Sequence, residues 1–369
     1  MLGALLFLPS FWFMPHVVYL LPLVYLAATG RLRLGFDDRN FNLLMIWVGF
    51  GLLFALIGLF DRTSEIDSAQ YIPWFPLVLI AYLYAKALTR SDLNIYLSLV
   101  LIEVLVICLE FSSQVPTFFF DWSVSRTFHG LEEEGLLYFS RPYGFDENSS
   151  GPSYRLLIAA CILSISKLPS KLSVLYGIII AIGLTLTFNR TTLISAALLM
   201  VVSVVPGVVA SKKRVIILVV LVLASSLSVY LYGELLAGQF SRNQEEVGLS
   251  GRDVVWGYYW NQIYQNPILG NFMDKVYFLW NGRDYHAHNS YLQLFATAGV
   301  PMGLLYLYIV FRNLNRNNFA ILAAFAVHGM AQYSFGWGVS FVDIFLFFFA
   351  FFSQRFGSVR SSHGEQRPS

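Results

Sequence analysis

This chain is short of charge. Asp, Glu, Lys and Arg make up 12% of its 369 residues, where soluble domains carry about 25%. A water-soluble globular domain is therefore excluded. Cysteine is scarce too. Cys108 and Cys161 both fall inside apolar runs, which reads as small core residues rather than a disulfide or a metal pair. There is no Gly-rich phosphate loop and no D-x-D pair in a cytoplasmic position, so nothing implies a nucleotide-sugar site. No internal repeat with paired broken helices is visible, which argues against the usual plan of a secondary transporter. The net charge is only +2, with basic residues spread over short loops, so no nucleic-acid surface is expected. The N-terminus runs straight into apolar sequence and reads as a first span rather than a cleavable signal.

What is present is apolar. Hydrophobic residues make up 57% of the chain and aromatics 17%, with a mean hydropathy of +0.61. The pattern predicts an all-α, polytopic integral membrane protein, a single membrane domain over 1–369. Spans read at about 41–60, 71–88, 93–111, 153–167, 172–187, 191–209, 215–233, 289–311, 318–338 and 340–354. Residues 1–29, broken by Pro9, Pro15 and Pro22, form one tilted span or a hairpin that breaks near Met14-Pro15. The total is eleven or twelve. Setting Lys212-Lys213-Arg214 in the cytoplasm and alternating outward puts fifteen of the 24 basic residues inside and nine outside. An inside N-terminus then needs twelve spans, which favours the hairpin. Two long loops, 112–152 and 234–288, face the periplasm or the exterior, and a tail at 355–369 faces the cytoplasm.

The outward loops carry the chemistry-bearing residues. The stretch Arg283 to Gly303 begins with charge, holds His286 and His288, and then turns into the apolar run from Asn289 to Phe311. Two imidazoles at the mouth of a span can trade protons near neutral pH. Arg190 sits in a connection of a few residues between two spans, and Arg252 opens a segment whose helical apolar spacing predicts a helix along the membrane surface. An arginine in such a place holds phosphate with a two-pronged hydrogen bond, or else snorkels to headgroups or pairs with a nearby acid. Arg126 and Arg141 in the acidic first loop either grip an incoming glycan or form local ion pairs. The second loop is aromatic, with Trp256, Tyr258, Tyr259, Trp260 and Trp280. These form an interfacial belt or stack on sugar rings. Asp284, His286 and His288 alternate as strand metal ligands would, but His129 is the one other histidine in these loops, so the metal reading is set aside. Glu103 and Asp343 lie inside spans, as ion sites in a carrier or as buried hydrogen-bond partners in an enzyme. His328 and His16 read as core or interface histidines.

Several of these stretches resemble one family. His286-Ala287-His288-Asn289-Ser290-Tyr291-Leu292-Gln293, with Gly299 and Gly303 after it, is similar to the signature of the O-antigen ligase and polymerase superfamily. So are Ser250-Gly251-Arg252-Asp253 with Trp256, Asn266-Pro267-Ile268-Leu269-Gly270, Phe188-Asn189-Arg190-Thr191, and Arg141-Pro142-Tyr143-Gly144-Phe145 with Asn148. One departure is G-x-x-x-G where G-x-x-G is expected. The resemblance implies a membrane glycosyltransferase of the GT-C type at the outer face of the bacterial inner membrane. Its donor would be a glycan on undecaprenyl diphosphate. Its acceptor would be a lipid-linked repeat unit (polymerase) or lipid A–core (ligase). It implies inversion without metal or cofactor. A chain-length regulator and a flippase would be neighbours, besides membrane lipids. Arg190 and Arg252 would stabilise the leaving diphosphate. His288 would be the base, or a protonated diphosphate ligand. His286, Asn289, Arg126, Arg141 and Arg283 would contact substrate. Two sizeable outward loops favour the polymerase. A polysaccharide-related transporter and an envelope scaffold are the readings from other classes.

Overall fold

The computed structural model describes residues 1–11, 14, 16–33, 38–61, 74–113, 142–146, 150–166, 168–204, 252–280, 283–332, 334–336 and 338–357. Arg126, Arg141, His129, the expected span 215–233 and the end of the C-terminal tail lie outside them. The architecture is all-α with one small hairpin. In chain order the helices are α1 (Leu2–Phe7), α2 (Leu21–Ala28), α3 (Arg39–Asp61), α4 (Leu77–Ala87), α5 (Arg90–Ser113), α6 (Ser150–Ile165), α7 (Ser170–Leu186), α8 (Arg190–Val204) and α9 (Arg252–Gln265). Strands β1 (Phe278–Trp280) and β2 (Arg283–Tyr285) pair antiparallel, Phe278 opposite Tyr285. Then come α10 (Ser290–Ala298), α11 (Val300–Phe311), α12 (Phe319–Gly329) and α13 (Phe341–Phe347), which runs on as a π-turn over Phe348–Phe352.

The packing is that of a bundle turned inside out. On α3, Ile46, Phe50, Leu53 and Phe60 are exposed, and on α5 so are Ile102, Leu105 and Leu109. Charge goes to the interior instead: Glu103, Arg155 and Asp343 are fully buried. Apolar side chains outward and paired charge inward suit a surround of lipid. Among the described residues two helices, over Arg39–Phe60 and Arg90–Ser112, are long and apolar enough to cross a membrane, and eight further apolar helices are shorter. Helix α8 packs on α12, α1 on α5, α4 on α13, and α6 on α7.

Three expectations change. The run from Asn289 to Phe311 is not one span. It breaks into α10 and α11 at Gly299, whose φ of +76° is a left-handed value that glycine adopts freely, with Pro301 in the first turn of α11. The helix over the expected span 318–338 stops at Gly329, and the described residues of 330–340 are not helical. Arg155, counted among the outward basic residues, is buried. Its Nε donates to Glu103 Oε2 at 2.8 Å and its Nη1 to Asp146 Oδ2 at 2.9 Å. Glu103 is thus a buried partner, as the enzyme reading expected. Within residues 1–29 the described helices are Leu2–Phe7 and Leu21–Ala28, with short 3-10 turns at Leu8–Ser10 and His16–Leu20.

The same acids shape the return of the first outward loop. Glu103 and Glu110 lie seven residues apart, two turns, on one face of α5. Glu110 accepts from the Tyr143 and Gly144 N–H groups at 2.7 Å each, and Glu103 from that of Phe145 at 3.3 Å. Gly144 has φ +57°, and a Cβ there would lie 2.7 Å from Glu103 Oε1. The Pro-Tyr-Gly-Phe motif is therefore a docked turn, with its glycine fixed by geometry.

Candidate functional site

The His-Ala-His-Asn segment is held by its middle residue. Ala287 is fully buried. Its N–H donates to Gln293 Oε1 at 3.1 Å, and its carbonyl accepts from Trp256 Nε1 at 2.7 Å. Gln293 also donates to the Val276 carbonyl at 2.9 Å, as Tyr259 does at 2.6 Å. Val255, Tyr259, Ile263, Val276, Ala287, Leu292 and Ala296 close around these bonds as a second, smaller core. The motif residues Trp256 and Gln293 thus serve the backbone between the two histidines. On either side of Ala287 the imidazoles face each other, with ring centroids 4.4 Å apart and a 34° tilt.

His288 sits at a strained corner. Its φ is +46°, a value non-glycine residues adopt rarely and at some cost. Asn289 follows in extended conformation and caps α10, its Oδ1 accepting from the Tyr291 and Leu292 N–H groups at 3.0 and 3.1 Å. That oxygen is committed to the helix end, so any substrate contact by Asn289 falls to its amide nitrogen. Burial and the nearby Arg252 charge pull His288 down to about 4. Burial, His288 and Lys275 pull His286 down to about 2. Both rings are neutral near pH 7, and a neutral imidazole keeps one nitrogen that accepts a proton.

Three cations gather around this corner or its neighbour. Arg252 is the first residue of α9, half-buried, with its charge felt at His288. Arg190 is the first residue of α8, also half-buried, behind a corner of the same kind. There Phe188 has φ +49°, and Asn189 Oδ1 accepts from the Thr192 N–H at 3.2 Å. A positive side chain at a helix N-terminus opposes the helix dipole. Both arginines therefore sit where an anion is wanted. Lys275 is the third, and it was not singled out in the sequence. Its Nζ lies 5.4 Å over the Trp74 ring, and burial pushes its pKa down to about 8, against the opposing pull of Asp343. The sequence showed it as one of nine outward basic residues, because Trp74 and Asp343 are remote in the chain.

Lys275 is placed by the Asn-Pro-Ile-Leu-Gly turn. Gly270 and Gly299 meet face to face: a Cβ on Gly299 would overlap the Ile268 carbonyl, and one on Gly270 the Gly299 nitrogen. The Val300 N–H donates to Pro267 O at 2.8 Å, and the Asn271 N–H to Ala296 O at 2.8 Å. The turn is thereby pinned to the break between α10 and α11. Asp343 is a hydrogen-bonded partner. It accepts from the Gly336 N–H at 2.8 Å, Tyr306 Oη at 3.1 Å and Ser340 Oγ at 2.9 Å. Arg283 is in β2, opposite Trp280, and its side chain is outside the description. Among the described residues no three His, Cys, Asp or Glu side chains converge as metal ligands.

The site is thus a cationic, histidine-bearing cluster on an all-α bundle whose exposed apolar surface suits lipid. Residues 175–308 match the family model described as O-antigen ligase. This supports the resemblance to the O-antigen ligase and polymerase superfamily: the matched segment holds Arg190, Arg252, His286, His288 and Asn289. The family implies a membrane protein with glycosyltransferase- or ligase-type activity on lipid-linked glycans. No curated protein and no solved structure matches the chain.

Proposed function

We propose that this protein is a polymerase of undecaprenyl-diphosphate-linked oligosaccharide repeat units, working at the periplasmic face of the bacterial inner membrane without metal. The observation that carries the reading is a neutral His288, fixed at a strained corner within the field of Arg252. The acceptor hydroxyl gives its proton to the lone-pair nitrogen of the neutral His288 imidazole as its oxygen forms a bond to the anomeric carbon. The bond from that carbon to the diphosphate oxygen breaks, and its electron pair stays on the diphosphate. Attack from the face opposite the leaving group inverts the anomeric centre. Arg252 and Arg190 meet the charge that builds on the diphosphate, an interaction strongest where water is scarce. The base supplies roughly 10²–10⁴-fold. His286, Asn289, Arg283, Arg141 and Arg126 hold sugar and phosphate oxygens. In the broader architecture, eleven or twelve spans frame two long outward loops. A chain-length regulator and a flippase supply and limit the chain.

A ligase that moves the finished glycan to lipid A–core is the second reading, favoured by the description of the matching family. A glycan gel from a deletion strain separates the two. Lipid A–core bearing a single repeat unit indicates the polymerase. Long chains retained on undecaprenyl diphosphate indicate the ligase. Unchanged glycans in every strain would overturn the enzyme reading in favour of transport.

A further inference from the structure

The helix starts that carry Arg190 and His288 are joined by a buried chain of hydrogen bonds that runs through His328. Ser153, Thr192, Ser290 and Ser334 have no exposure, and His328 has 2%. Ser290 Oγ donates to the Gln332 carbonyl at 3.1 Å and accepts from the Ser334 N–H at 2.7 Å. Ser334 Oγ lies 2.8 Å from His328 Nδ1, and His328 Nε2 lies 3.1 Å from Thr192 Oγ1. Thr192 Oγ1 donates to Ser153 Oγ at 3.3 Å. Ser153 also accepts from Asn189 Nδ2 at 3.0 Å and donates to the Ser150 carbonyl at 2.7 Å.

The chain has a self-consistent sense: with Thr192 donating to Ser153, Thr192 accepts from His328 Nε2–H. His328 Nδ1 then accepts from the Ser334 hydroxyl. Tyr154 lies flat on the ring, 4.2 Å away at 15°. Thr192 is two residues past Arg190, and Ser290 two past His288. Nothing local in the chain holds these two starts in register, since about a hundred residues separate them. In a dry interior such a network is rigid when satisfied and costly when cut.

We propose that His328 is a positioning residue for the transfer reaction. It locks the start of α8, with Arg190, to the start of α10, with His288, and touches no substrate. The proposal rests on the glycosyl-transfer reading of the site. A displacement of about 1 Å between reacting groups costs roughly 10²-fold, so the lock bears on rate rather than affinity.

The test uses the full chain in lipid nanodiscs with a lipid-linked oligosaccharide donor. His328→Ala is expected to lower kcat per folded enzyme roughly 10- to 100-fold, with the donor KM within about twofold, and to lower the thermal midpoint through the cut network. His328→Gln, whose amide N–H can still reach Thr192, should recover part of the rate. Thr192→Val should lower kcat on its own and add nothing on top of His328→Ala. A rise in KM at constant kcat, a rate that falls only with the amount of folded protein, or fully additive effects would each overturn the proposal. Nitrogen NMR, assigned by the signal lost in His328→Gln, should show the neutral Nε2–H form. An Nδ1–H signal would overturn the directed chain. If the wild type transfers no glycan, the functional reading fails. Coupling of Thr192→Val with His328→Ala in thermal stability then still supports the lock, and additivity overturns it.

Discussion

The starts of α8 and α10 use one device for two purposes. In each, a residue of left-handed backbone, Phe188 or His288, is followed by an asparagine whose Oδ1 caps the helix. In α8 the strained residue is a buried aromatic, 1% exposed and 5.9 Å from the Phe111 ring. Its strain is offset by apolar burial, and the functional candidate, Arg190, comes after the cap. In α10 the strained residue is the candidate itself. His288 is held by bonds to its neighbour Ala287 rather than by burial of its own ring in a large core. Strain concentrated on a polar side chain outside the apolar cores is a mark of function rather than stability.

The comparison breaks hardest at the histidine. His288→Ala is expected to lose roughly 10²–10⁴-fold in rate, and His286→Ala far less. Glycan gels and initial rates check this, and the reverse order would move the base to His286. Arg252→Ala should behave like the deletion while the protein is still made.

Acidity sharpens the contrast next, because only the α10 corner titrates. Burial and Arg252 hold His288 at about 4. The acid limb of kcat/KM should then fall about tenfold per pH unit below that value, not below the ordinary 6.5. A diphosphate in the site favours the charged imidazole and shifts the kcat limb upward. The sign for stability follows from the same depression. The unfolded chain takes up protons first, so stability is full above about pH 6.5 and declines as pH falls from there toward 4. Thermal midpoints across that range measure it.

Two smaller effects compare the corners directly. Asn189→Ala and Asn289→Ala should each cost about 1 kcal/mol of stability through the lost cap. Asn189 should cost the more, since its amide also serves Ser153. At the strained position the signs should differ. His288→Asn relieves left-handed backbone and is expected to be inactive yet no less stable. Phe188→Asn relieves the same strain but loses a buried ring, costing about 3 kcal/mol or more. Detergent unfolding curves would separate the pair, and equal losses would remove the functional reading of the strain at His288.

Much of the site was legible in sequence because it is local. The histidine pair, Asn289 and the arginines at helix starts all lie within a few residues of their motifs. The break at Gly299 was signalled by Gly-Val-Pro, but the length of the apolar run outweighed it. Lys275, His328 and the burial of Arg155 gave no local signal. Their partners lie far along the chain: Trp74 for Lys275, Thr192 for His328 and Glu103 for Arg155.

Sequence alone determined the helical class and the family resemblance. Low charge and long apolar runs favour helices that satisfy their own backbone, and the His, Arg and Asn motifs resemble those of the O-antigen ligase family that residues 175–308 match. Tertiary structure decided which charges are inside, which glycines face each other, and how two helix starts remote in the chain come into register. Those are set by side-chain pairs across the bundle, where a dry interior makes every unpaired polar group costly. No periodicity along one strand of sequence carries that information.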